Sequence, residues 1–223
     1  SELKSTELYS VFLDKDKLKI RKDDDVEINT LIDLKSIPDK IYPKVNVIDV
    51  AKVDVPKEAF SAVEISFSGD KVAISTYKDE DSYIGVVDVE DAQETAAKEG
   101  EDEGGKEDEK NDDKTLGKKI TSLDVLNGCK ISSLNFSDDD GYVVVNYVKG
   151  NGTRFKVYQS GGSIVSLELD DIFAEDEYNL IYERIQDNNI IMNVTPIIKS
   201  NNTESGLIGR YKISLKDFKL EKL

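Results

Sequence analysis

Short runs of Val, Ile, Tyr and Phe, each closed by a cluster of Asp, Asn, Gly or Ser, recur along this chain and point to β structure. Lys71–Tyr77 is one such run; a polar turn over Lys78–Ser82 joins it to Tyr83–Val89. Tyr142–Val148 turns through Lys149–Gly152 into Thr153–Tyr158, and Asn189–Thr195 turns through Lys199–Gly206 into Leu207–Leu215. Near the start, Glu7–Leu13 and Lys17–Arg21 flank Asp14-Lys15-Asp16. Each unit reads as strand, polar turn, strand, which is a hairpin. A 3.6-residue period is scarce. Only Asp170–Tyr178 has the composition for a short helical turn.

Two of the hairpins share a lead-in. Val63–Asp70 and Ile131–Asp139 both run alternating apolar residues into a Phe-Ser pair and then an acidic turn. Taking Phe67 and Phe136 as equivalent and setting aside the acidic stretch between them leaves a repeat of about 45 residues, the length of one propeller blade. The runs Ile65–Ser75 and Leu134–Val145 resemble the strand-turn-strand core of WD40-like β-propeller blades. That resemblance implies radial four-stranded sheets. It does not extend to the Gly-His and Trp-Asp pairs of WD40 blades, because the chain has no His and no Trp. The expected fold is therefore all-β, with about four propeller-like blades standing alone or as part of a larger propeller. Closure of the ring would pair Glu7–Leu13 with Leu207–Leu215, leaving no exposed edge.

Charge is distributed unevenly. The net charge is −16, and residues 90–114 hold twelve acids and four lysines with no apolar residue larger than Ala. Such a segment cannot offset its ordering entropy by burial and is expected to be a disordered loop. One domain results, with propeller-like halves over 1–89 and 115–223 and the acidic insertion 90–114 between them.

The composition also excludes chemistry. Without His there is no Ser-His-Asp or Cys-His catalysis within these residues and no HExxH metal site. One Cys excludes an internal disulfide, and the acidic balance disfavours nucleic-acid grooves and anionic membranes. Asp14, Asp16 and Asp25 have a faint EF-hand spacing, but Leu18 and Lys19 occupy positions that need an oxygen ligand and Gly. Asp138-Asp139-Asp140-Gly141 reads as a tight hairpin turn or, alternatively, a weak Ca²⁺ site. Gly150-Asn151-Gly152 lacks the residues of a phosphate loop, and Cys129 beside Lys130 reads as a structural thiol. Asn135, Asn151, Asn193 and Asn201 head glycosylation-type triplets.

No catalytic, cofactor-binding or metal-ligating residue is assigned, and no cofactor is expected. By analogy with propellers at the level of the fold, the expectation is a non-catalytic protein-interaction platform, not an enzyme. Its partner would be a protein, or a longer chain or second subunit completing the propeller. Nucleic acid and membrane insertion are not expected; the compartment is left open, with the cytoplasm favoured over an extracytoplasmic site. The alternative is a secreted or lipid-anchored bacterial propeller that binds or hydrolyses cell-surface polysaccharide.

Overall fold

The computed structural model describes residues 2–5, 9–22, 25–43, 51–89, 120–165, 167–198 and 204–223. The acidic stretch 90–114, expected to be disordered, lies outside them.

Among the described residues, sixteen strands form four antiparallel meanders, here called blades. Blade 1 holds β1 (Glu2–Ser5), β2 (Tyr9–Asp14), β3 (Lys17–Lys22) and β4 (Ile28–Asp33). A two-stranded ribbon of β5 (Lys40–Ile41) and β6 (Val53–Asp54) leads to blade 2: β7 (Ala59–Ile65), β8 (Lys71–Lys78), β9 (Asp81–Asp88) and β10 (Ile120–Leu126). Blade 3 is β11 (Cys129–Phe136), β12 (Tyr142–Lys149), β13 (Gly152–Gln159) and β14 (Ile164–Val165). One helical turn, α1 (Leu169–Ile172), which overlaps the start of the run expected to form one, precedes blade 4: β15 (Tyr178–Gln186), β16 (Asn189–Pro196), β17 (Gly209–Ser214) and β18 (Leu220–Lys222). No helix among the described residues is long and apolar enough to cross a membrane.

The blades repeat in detail. In every blade the first strand slips register against the second, between Glu2 and Lys4, Phe60 and Ala62, Ile131 and Ser133, and Tyr182 and Arg184. An extra residue at that point strengthens the local twist and bends the strand. In blades 1, 2 and 3 the second and third strands are joined by two-residue turns, Lys15-Asp16, Asp79-Glu80 and Gly150-Asn151. Their first residues have φ of 55°, 54° and 58°, as tight hairpins require.

Stacking explains the sequence pattern of the middle strands. Val72–Thr76 and Val143–Tyr147 are buried at every position, because both faces of blades 2 and 3 are covered. Three apolar cores result, one at each junction: Val11, Leu18 and Ile20 with Val63, Val72 and Ile74; Ile84 and Leu123 with Leu134, Val143 and Val145; Val144 and Val157 with Leu180, Ile190 and Met192. The face of blade 4 turned away from blade 3 is polar, with Glu183–Arg210 at 2.7 Å and Lys212–Glu221 at 3.0 Å.

Two expectations need correction. The equivalence of Phe67 with Phe136 is out of register. Ser66 and Ser137 are the matching residues: each N–H donates to the carbonyl of Lys71 or Tyr142, at 2.9 Å in both. Each Oγ accepts from the N–H of that same residue, at 3.0 and 2.9 Å. The left-handed positions Gly69 and Asp140 then correspond as well. Phe136 is buried at 5% exposure while Phe67 stands 68% exposed. The shared Phe-Ser pair is therefore a coincidence of composition, offset within the true repeat. The second correction concerns closure. Within Glu7–Leu13, the described residues belong to β2, which pairs with β1 and β3; β17 pairs with β16 and β18, so the two do not meet.

Candidate functional site

Each junction opens into a cleft at the end of the blades that carries the two-residue turns. The cleft between blades 1 and 2, lined by Leu34, Lys57 and Glu58, has a cavity volume of about 370 Å³. The one between blades 3 and 4, beside Glu175 and Ile197, has about 330 Å³. The cleft between blades 2 and 3 is the largest of these three, at about 740 Å³.

Its blade 2 wall carries Phe60 and Tyr77, with Asp79 and Glu80 on the turn above. Its blade 3 wall carries Lys130, Ile131 and Val148, with Lys130 and Val148 side by side across the β11–β12 ladder. Tyr77 and Val148 keep 41% and 38% of their surface exposed, so an apolar lining faces water. The walls are braced. The Asp81 carboxylate accepts from the Gly128 N–H at 2.9 Å, and the Ser82 hydroxyl donates to the Cys129 carbonyl at 2.8 Å. Gly128 turns the chain at φ 63°, a conformation that Gly adopts without a Cβ penalty. Cys129 is buried at the base, and burial pushes its thiol up, away from the thiolate that a nucleophile needs.

In the acidic turn of blade 3, Asp138 and Asp139 are exposed and Asp140 is buried, and the last two are bonded to protein groups. Asp139 accepts from the Ser137 hydroxyl at 2.7 Å and the Gly141 N–H at 3.0 Å, which hold its carboxyl below the usual range. Asp140 reaches across to blade 2 and accepts from the backbone N–H groups of Phe67 and Ser68, at 2.9 and 3.1 Å, and from the Ser68 hydroxyl. Asp14 pairs with Lys19, and Asp25 accepts from the Glu27 N–H. No group of three or more His, Cys, Asp or Glu side chains arranged to hold a metal occurs among the described residues. Gly150-Asn151 is the β12–β13 turn. Asn135 accepts from Asn146 at 3.1 Å, Asn193 lies between two paired strands, Asn151 is exposed at a turn, and Asn201 lies outside the described residues.

Three buried polar devices had no sequence signal. Asp124 accepts from the Tyr158 hydroxyl at 2.8 Å across the blade 2–blade 3 core, and burial raises the pKa of both groups. Arg154 donates to the carbonyls of Tyr178 and Phe173, at 3.1 and 2.9 Å, and pairs with Asp170. The third is the Asp140 clamp already described.

No protein-family model matches the sequence, and no curated protein is similar to it. The fold does have solved counterparts. A prolyl endopeptidase matches at TM-score 0.54 and 12% identity, covering 98% of this chain and 28% of the other. An acylaminoacyl peptidase matches at TM-score 0.47 and 12% identity, covering 100% and 32%. Oligopeptidase B from Leishmania major matches at TM-score 0.42 and 11% identity, covering 96% and 25%. The fold is a β-propeller. The chain spans about a quarter to a third of the length of these structures.

These likenesses show the fold alone, and they correct the functional expectation drawn from it. The non-catalytic platform, and the view that the protein is no enzyme, rested on an analogy with propellers that lack chemistry. The prolyl endopeptidase that shares this arrangement of blades is a hydrolase, so that analogy is withdrawn. The alternative, which allowed hydrolysis, lies closer to that enzyme.

Proposed function

We propose that this chain forms the propeller part of a peptide-bond hydrolase and that the cleft between blades 2 and 3 contacts the substrate. The observation that carries this reading is the cleft: about 740 Å³ with Tyr77 and Val148 half-exposed around it. That volume lies within the range of small-ligand sites, whose usual make-up is an apolar lining with a few placed polar groups. The bracing by Asp81 and Ser82 means that the walls stand in place before any ligand arrives. The likeness to a prolyl endopeptidase supports the reaction class by fold-level analogy.

The absence of His denies these residues a Ser-His-Asp triad. In this reading the bond-breaking groups belong to a part of the protein outside the 223 residues, and the chain described here admits and orients the substrate. The WD40 likeness stays at the level of strand-turn-strand geometry.

The test is turnover. The protein isolated from its own cells is incubated with a mixture of synthetic peptides, and the products are read by mass spectrometry. The expected result is shortened peptides, with Tyr77→Ala raising KM while leaving kcat nearly unchanged. A folded protein that leaves every peptide intact overturns the reading.

A further inference from the structure

The blade 2–blade 3 cleft also carries charge of opposite sign on its two walls. Asp79 and Glu80 sit on a two-residue turn fixed by the Lys78–Asp81 pairing, and both are exposed. Lys130 lines the facing wall beside Val148 and is exposed. None of the three makes an ion pair with another described residue, although the chain holds many charges of both signs. Phe60, Tyr77, Ile131 and Val148 give the same cleft its apolar lining.

We infer that the cleft takes a short peptide with both ends free, and that the ends are what it reads. The peptide's ammonium group sits against Asp79 and Glu80, its carboxylate against Lys130, and an apolar side chain between them against Phe60 and Tyr77. This rests on the peptide reading above and deepens it. A cation alone would leave Lys130 unmatched, and an anion alone would meet the two acids. A zwitterion with an apolar middle satisfies both walls and desolvates the rings. The cavity is also roomier than one amino acid requires.

Isothermal titration of the 223-residue chain tests this with four probes: Gly-Phe-Gly, its N-acetylated form, its C-terminal amide, and Gly-Ser-Gly. Acetylation and amidation are each expected to weaken binding about tenfold, the scale of one charge-assisted contact. Replacing Phe by Ser in the peptide weakens it further. The double variant Asp79→Asn, Glu80→Gln should bind free and acetylated peptides alike, and Lys130→Met should bind free and amidated peptides alike. Such paired losses distinguish contact from general damage, because a misfolded cleft loses all four probes together. Circular dichroism of each variant checks the fold.

End-blocked peptides that bind as tightly as free ones overturn the inference, as does retention of end discrimination by the variants. Failure here is separable from failure of the hydrolase reading. Binding of free-ended peptides by a protein that cleaves none overturns the hydrolase and leaves this site. Cleavage of end-blocked peptides as efficiently as free ones does the reverse.

Discussion

The junction of blades 2 and 3 and the junction of blades 3 and 4 hold similar sheets together by different means. At the first, β11 packs along β7, and carboxylates serve as acceptors: Asp140 for the Phe67 and Ser68 N–H groups, Asp81 for Gly128, Asp124 for Tyr158. At the second, β15 packs chiefly along β13, and the central device is a donor, the Arg154 guanidinium against two backbone carbonyls. Aromatic edges surround it. Phe155 meets Tyr182 at 6.3 Å between centroids, and Phe173 meets Tyr178 at 6.0 Å and Tyr211 at 5.3 Å. The first junction is made from turns that belong to the repeat. The second is made by α1 and the following residues, which interrupt it. Repetition therefore fixes the sheets, while the stacking of successive sheets is settled locally.

The largest expected contrast lies within the first junction. Phe136→Ala should cost about 4 kcal/mol, since it empties a buried aromatic site. Phe67→Ala should change stability by less than about 0.5 kcal/mol, because the ring is solvated. Urea denaturation of both variants checks this. Equal costs would restore the equivalence that the sequence suggested.

Next come the two clamps. Arg154→Met strands the carbonyls of Tyr178 and Phe173 without their donor and should cost about 3 kcal/mol. Asp140→Asn keeps one acceptor oxygen for two N–H groups and should cost about 1.5 kcal/mol. A larger cost at Asp140 in the same denaturation series would reverse the ranking of the junctions.

The smallest effect has a pH signature. Burial raises the Asp124 carboxyl above its ordinary value, so the folded state holds that proton more tightly than the unfolded chain. Stability from this group thus falls as pH rises from the unfolded value of about 3.9 through the folded one, and it stays lower above that. Asp124→Asn still accepts from Tyr158 and removes the fall. It should match or exceed the parent by up to about 1 kcal/mol at neutral pH, with no gain at pH 3. Thermal melts across that range decide it. A variant much weaker at neutral pH would mean that the ionised carboxylate stabilises the junction.

How much of this was legible follows from what carries the signal. Alternation and turn chemistry are local, so β2–β3, β8–β9, β12–β13 and β16–β17 stood out, and so did the number of blades. The register between repeats was not legible, because Phe-Ser occurs on either side of the true match at Ser66 and Ser137. The Arg154 clamp gave no sign, since its main partners are carbonyls that every residue possesses. Asp139 and Asp140 are adjacent and identical in type, yet one closes its own turn and the other crosses to blade 2. The cleft was invisible for a similar reason. Phe60, Tyr77 and Val148 lie far apart in the chain and meet only when blades 2 and 3 stack.

The central claim is that these two junctions are held by separate devices, and hydrogen exchange read by mass spectrometry tests it most directly. In Arg154→Met, protection should fall in Tyr178–Gln186 and Asn189–Pro196 and persist in Lys71–Lys78. In Asp140→Asn, it should fall around Ser66–Asp70 and persist in blade 4. Uniform loss across all four blades in either variant would contradict the claim, showing one cooperative unit in place of separately held junctions.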